Sequence, residues 1–301
     1  MQVQQIFSDS IDFLANQEIF SGQGVANAED EVVLLLMHVL AVDFNGLNQM
    51  ATATVTDELQ QQIKALLQQR VEQHVPMAYL VGFAVFAGLH FKVDERALIP
   101  RSPFAALIDE GFAPWVDMTA CQRVMDMCTG SGCIGLAVAH YYHHCQVDLV
   151  DISTAALSLA AENTDHLGLG SQVNLIESDL FTQIEQPCDL ILANPPYVDE
   201  TEYQQLPAEF EHEPRLALVS DRDGMELPIK ILLEAPEYLT EGGVLFLEVG
   251  YNDEVLAACL PKVPLMWVDL STGGQGICVF SRADLLKYRS EFKQFLESHV
   301  A

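Results

Sequence analysis

The chain has 301 residues, 50% of them hydrophobic, and a formal net charge of −29 from 14 basic and 43 acidic side chains. That length and apolar content supply core material for one large α/β domain plus a small accessory one. The charge argues against binding a polyphosphate, which draws on lysine and arginine, and favours a basic protein partner; it also serves solubility or adaptation to salt.

No apolar run reaches the ~20 residues of a membrane-spanning helix, since Val32 to Leu40 is interrupted by His38. The start, Met1-Gln2-Val3-Gln4-Gln5, lacks the basic segment and apolar stretch of a secretory signal, so a cytoplasmic location is expected. Seven scattered cysteines, an odd number without zinc-ribbon spacing, read as reduced thiols.

Residues 1–75 read as a small helical domain. Ala28 to Leu40 opens with acidic residues suited to a helix N-terminus and continues as Val32, Val33, Leu35, Leu36, Val39 and Leu40. Asp57 to Val75 sets Leu59, Ile63, Leu66, Leu67 and Val71 on one face of an amphipathic helix. This module carries no catalytic constellation and suits either partner recognition or a stabilising cap. Over 76–100, Tyr79, Val81, Phe83, Val85 and Phe86, then Leu89, Phe91 and Val93, alternate about Gly88, which predicts a β-hairpin linker. The charged, proline-bearing stretch Val93 to Pro103 reads as a shaped loop.

Residues 101–301 form the third part. From Arg123 onward the apolar runs Val124–Met127, Val147–Asp151, Val173–Glu177, Leu190–Asn194 and Gly243–Glu248 alternate with helical stretches, the pattern of a parallel sheet in an α/β fold. Met266–Leu270 and Ile277–Ser281, joined through Thr272 to Gly276, predict a closing hairpin with at least one antiparallel strand.

The stretch Asp126-Met127-Cys128-Thr129-Gly130-Ser131-Gly132-Cys133-Ile134-Gly135 ends the first strand of that sheet and opens a helix. Its glycines permit a tight turn and a close ligand approach, and their spacing also fits a dinucleotide fingerprint. Asp151 ends the second strand, where a carboxylate can take both hydroxyls of a ribose. S-adenosylmethionine suits the loop better than a nicotinamide dinucleotide. Asp126 can serve the cationic amino group of a methionine tail but would repel a pyrophosphate. Asp179, after the third strand, can meet an adenine amino group. Thr129, Gly130, Gly132 and Asn194 complete the expected cofactor set.

The fourth strand stops at Asn194-Pro195-Pro196-Tyr197. Asn194 offers an amide oxygen as acceptor, the proline-restricted backbone can present the Pro195 carbonyl as a second, and Tyr197 offers a flat face. Such a pair suits a planar NH2 group, whereas the motif by itself could be turn punctuation. Asn194, Pro195 and Tyr197 are the expected catalytic residues, and Pro196 joins them in binding the substrate.

On these residues the chain resembles the protein-glutamine methyltransferases that modify translation proteins, which carry the Asn-Pro-Pro-Tyr motif found here at Asn194 to Tyr197. The resemblance spans nearly the whole chain. It implies a Rossmann-like, seven-stranded S-adenosylmethionine-dependent methyltransferase domain behind an N-terminal helical domain, transferring a methyl group to a glutamine side-chain nitrogen. Val93–Arg96, Ile99–Pro103 and Leu206–Pro214 are similar to the branch acting on the third protein of the large ribosomal subunit. The expected partner is that basic protein, free or early in assembly, with no nucleic-acid specificity and no membrane. The release-factor branch is similar, and adenine methyltransferases of DNA share the motif. A non-catalytic assembly chaperone that keeps the cofactor fold is the alternative of another class.

His140, His143, His144 and Cys145 cluster where a helix C-terminus favours histidine, and no metal is expected there. Cys128 and Cys133 read as packing residues, and Trp115 and Trp267 as core or rim. His212 suits either the substrate site or a solvated loop, and Glu248 a helix contact or solvent.

Overall fold

Five helices precede the first strand in the computed structural model, which describes residues 1–270 and 275–298: α1 (Val3–Ala15), α2 (Ala28–Leu40), α3 (Phe44–Gln49), α4 (Asp57–Gln73) and α5 (Met77–Val81). Asn27 starts α2 by accepting from the Asp30 amide, and Glu29, Asp30 and Glu31 fill the first turn, where negative charge meets the positive end of the helix dipole. Val32, Leu35 and Leu36 of α2 pack with Ile63 and Leu67 of α4 in an apolar core separate from that of the sheet. Helix α5 lies where alternation predicted extended chain. Pro76 has a φ suited to a helix start, and a helical turn puts both Met77 and Val81 into the helical core. The hairpin proper is β1 (Phe83–Phe86) and β2 (Leu89–Lys92), antiparallel and turned through Ala87 and Gly88, both at positive φ.

The remaining elements are α6 (Phe104–Asp109), β3 (Arg123–Met127), α7 (Cys133–Tyr141), β4 (Gln146–Asp151), α8 (Thr154–Leu167), β5 (Val173–Glu177) and β6 (Cys188–Ala193). They are followed by α9 (Glu200–Tyr203), α10 (Glu226–Glu234), β7 (Leu239–Glu248), α11 (Asp253–Cys259), β8 (Met266–Trp267), β9 (Ile277–Ser281), α12 (Arg282–Lys287) and α13 (Arg289–Glu297). The seven-stranded sheet runs β5-β4-β3-β6-β7-β9-β8, parallel from β5 to β7, with β9 antiparallel to both its neighbours. The expected strand Met266–Leu270 is regular only at Met266–Trp267, although the Val268 amide still reaches the Ile277 carbonyl at 2.9 Å. Thr272, Gly273 and Gly274 of the expected turn lie outside the described residues.

Strand periodicity divides the core between the two faces of the sheet. Val124, Leu149, Leu192 and Phe246 face α6 and α7, whereas Met127, Val150, Ala193 and Leu247 face α10 and α13. Among the described residues no helix is long and apolar enough to cross a membrane. Leu192, fully buried in the central strand β6, tests this packing: Leu192→Ala should lower the unfolding free energy by about 2–5 kcal/mol in urea titration.

Candidate active site

Parallel pairing sets the ends of three strands level. Met127 of β3 lies opposite Val150 of β4 and Ala193 of β6, so Cys128, Asp151 and Asn194 emerge together at the carboxyl edge. Here the strand order reverses direction, with β4 and β5 on one side of β3 and β6 on the other, which opens a crevice between the loops. The cleft at this edge has a volume of about 200 Å³, and Thr129, Gly130, Asp151, Asp179, Asn194 and Pro196 line it.

The glycine loop is built around two carboxylates. Asp151 accepts from the Gly130 amide on Oδ2 and the Ser153 amide on Oδ1, each at 2.9 Å, so both oxygens are held in place and each keeps capacity for a further donor. Burial raises its pKa. Asp126 is directed differently: alternation along β3 puts it on the Val124 face, beneath α7, and it does not line the cleft. Its Oδ2 accepts from Thr129 Oγ1 at 2.5 Å and the Gly135 amide at 2.9 Å. Burial pushes its pKa up to about 7 against those hydrogen bonds, and Asp151 adds repulsion. Gly135 is required for this approach, because a methyl group there would come within 2.9 Å of Asp126 Cβ.

Gly132 also lies outside the cleft lining. At φ +83 it starts α7, and a side chain there would strike Leu136 and Leu149, so its role is conformation and packing. Asp179 is exposed at the rim, on a turn that Ser178 Oγ holds by donating to the Leu180 carbonyl at 2.7 Å.

Asn194 is half-buried, and among the described residues its side-chain amide makes no hydrogen bond within the protein. Pro195 and Tyr197 do not line the cleft. The Tyr197 carbonyl accepts from Asn252 Nδ2 at 2.8 Å, and its ring packs so closely on Gly250 that a methyl group there would lie 2.7 Å from Oη. The structure therefore brings Thr129, Gly130, Asp151, Asp179, Asn194 and Pro196 to one cleft and leaves Asp126, Gly132, Pro195 and Tyr197 behind its walls.

The segment from Ile99 to Ser102 also lines the cleft, although its sequence suggested only a shaped loop. Ser102 donates to Glu248 Oε2 at 2.5 Å, and Glu248 is buried, with burial pushing its pKa up to about 7. This corrects the expectation of a helix-contacting or solvated carboxylate; a partner so distant along the chain leaves no local signal. His212 sits away from the cleft, its Nε2 2.9 Å from the Gln73 carbonyl. His144 donates to the Met118 carbonyl at 2.8 Å, and Trp115 packs edge-on against Phe246 in the core.

These residues fit S-adenosylmethionine. The Asp151 carboxylate lines the cleft with both oxygens held by loop amides and each able to take a hydroxyl donor of a diol, whereas Asp126, whose Oδ1 has no hydrogen-bond partner among the described residues, lies outside the cleft lining and so meets no cofactor atom in this arrangement. Fold and cleft together define a Rossmann-like methyltransferase dependent on that cofactor.

Comparison with known proteins narrows the class. Residues 109–258 match the Methyltransferase small domain and residues 17–82 the PrmC N-terminal domain. The chain is 43% identical to the ribosomal protein uL3 glutamine methyltransferase of Xanthomonas campestris, over 91% of this chain and 89% of that one. It is 37% identical to the protein of the same name from Francisella tularensis, over 96% and 92%. The hMettl16 catalytic domain, solved with the MAT2A 3'UTR hairpin 6, superposes with a TM-score of 0.50 at 13% identity, over 75% of this chain and 82% of that one, a likeness of fold alone. The chain belongs to the family of the uL3 glutamine methyltransferases.

Two substitutions separate the carboxylates. Asp151→Ala should weaken S-adenosylmethionine binding by at least about tenfold in titration calorimetry, the loss expected for hydrogen bonds to a charged group. Asp126 acts on stability. Its folded-state pKa of about 7 lies above the unfolded value of 3.8, so between those values the folded state alone holds the proton and stability falls as pH rises. Asp126→Asn should flatten this slope by up to about 1.4 kcal/mol per pH unit, measured as unfolding free energy of the ligand-free protein between pH 5 and 8.

Proposed function

We propose that this chain transfers the methyl group of S-adenosylmethionine to the side-chain nitrogen of a glutamine on ribosomal protein uL3, as the names of its relatives indicate for them. The observation that carries the reading is Asn194: an amide without an internal partner among the described residues, at the carboxyl edge of the central strand, in the same cleft as Asp151 and Asp179. When bound, the cofactor supplies an electrophilic methyl group. The chain's own residues supply placement.

Asp151 holds the ribose hydroxyls, Asp179 meets the adenine amino group, and Thr129 and Gly130 shape the loop around the methionine tail. Asp126 orders that loop from beneath through Thr129 and Gly135. A glutamine amide is a weak nucleophile because its nitrogen lone pair is delocalised into the carbonyl. Asn194 Oδ1 would accept one of its hydrogens and orient the nitrogen toward the cofactor's methyl group, and the Pro195 carbonyl, which does not line the cleft, would have to turn outward to take the second; the N–C bond forms as the S–C bond breaks, and the nitrogen's surplus proton leaves to solvent. Pro196 shapes the wall beside it. Tyr197 braces the motif from behind, through Asn252 and Gly250.

The three-part division, helical domain 1–75, linker 76–100 and methyltransferase domain 101–301, belongs to this reading, with the helical domain recognising the substrate protein. The substrate is uL3 free or early in assembly, in the cytoplasm, because a chain of net charge −29 attracts a basic protein and is repelled by assembled RNA.

The deciding experiment incubates the pure protein with labelled S-adenosylmethionine and, separately, free uL3, a release factor and DNA, and locates label by mass spectrometry. Label on a uL3 glutamine is expected; label on the release factor alone overturns the substrate. Asn194→Ala should lower turnover by about 100-fold or more while the cofactor dissociation constant stays within about threefold. Retained turnover would refute the role given to Asn194.

A further inference from the structure

Between the acceptor motif and α10, the 3-10 helix Ala208–His212 and Glu213 turn away from the sheet and bury two carboxylates beside the N-terminal helices. Glu209 Oε1 accepts from the Phe20 amide at 2.9 Å and from Arg70 Nη1 at 3.0 Å. Arg70, in α4, is itself 1% exposed and grips Glu31 of α2 through Nε at 2.8 Å and Nη2 at 3.0 Å. Glu213 accepts from Gln23 Nε2 on Oε1, and from the Ile99 amide at 3.1 Å and Arg101 Nη1 at 2.9 Å on Oε2. Phe210, between the two carboxylates, packs on Phe20 and lies under the Arg101 guanidinium.

These contacts lead directly into the cleft. Ile99 and Arg101, both bonded to Glu213, line it, and Pro214, Leu216 and Ala217, which follow Glu213 in the chain, line it as well. One carboxylate therefore ties two stretches of cleft wall to each other and, through Gln23, to the N-terminal region. Apolar packing would join two domains at least as stably as buried ions, whose desolvation offsets most of their attraction. What hydrogen-bonded charges add is fixed orientation.

We propose that Arg70, Gln23, Glu209 and Glu213 are positioning residues for the acceptor wall, so that the N-terminal helices set the rate of methyl transfer as well as docking the substrate protein. This rests on the methyl-transfer reading and adds to the recognition role a dependence of the chemical step on the same helices. The consequence is distinctive: a small substrate that never touches the N-terminal helices still depends on them.

The test uses the full-length protein with Gln23→Met and Arg70→Met. Gln23→Met keeps side-chain size, removes the donor to Glu213 and to the Glu209 carbonyl, and also removes a buried oxygen that has no partner among the described residues, so it preserves the fold if Arg70→Met does not. Turnover is measured on free uL3 and on a short peptide carrying the acceptor glutamine, and amide hydrogen exchange is followed by mass spectrometry. Expected for the peptide is a kcat about tenfold lower, with its KM and the cofactor dissociation constant within about threefold. The amides of Phe210 to Ala217 should exchange about tenfold faster while those of α7 are unchanged. Unchanged peptide kcat with unchanged exchange, the loss confined to KM for uL3, overturns the proposal. If the wild-type protein methylates none of the substrates, the function reading fails separately and exchange alone decides: faster exchange over 210–217 sustains the positioning role, and unchanged exchange removes it.

Discussion

Hydrogen bonding between parallel strands sets the level at which each strand ends, and the cleft depends on that register. With Met127 opposite Val150 and Ala193, the loops that follow β3, β4 and β6 begin at one height. A slip of β6 by one residue would exchange its faces, sending Ile191 and Ala193 toward α7 and Leu190 and Leu192 toward α10. Because both faces are packed, that slip is strongly disfavoured, and the position of Asn194 is secured by core residues that never meet a substrate.

Beneath this edge, two buried carboxylates anchor the loops on either side. Asp126 ties the glycine loop to the start of α7, and Glu248 ties the Ile99–Ser102 segment to the end of β7 through Ser102. Neither has a cationic partner at bonding distance among the described residues, and both are pushed toward neutrality by burial. Such groups respond strongly to a cation brought near them, because the surrounding protein screens little. The acidic surface acts in another way. Exposed charges are screened over about 10 Å at moderate salt, so they act on a molecule's approach and not on its orientation within the cleft.

The helical region and the sheet domain meet through side chains that belong to neither core. Arg70, Glu31, Glu209, Gln23, Glu213 and Arg101 form one chain of contacts from α2 to the cleft wall. The Gln23 side chain donates both to the Glu209 carbonyl and to Glu213, which links the two carboxylate clusters.

The alternation of strands and helices from β3 to β7, the glycine loop, Asp151 and the stop at Asn194 were determined by sequence alone, because each follows from local chemistry: alternating apolar residues, glycines where φ must be positive, a carboxylate or amide where a buried strand ends. The family likeness of the Leu206–Pro214 stretch was also legible, but not what its acids do. Tertiary structure decided the rest. It turned Asp126 beneath α7, paired Glu248 with Ser102, seated the Tyr197 ring on Gly250 outside the cleft, and joined Glu213 to Gln23 and Arg101. A residue's partner across such distances in the chain is chosen by how helices and sheet pack, and packing of that kind leaves no period or spacing in the sequence to read.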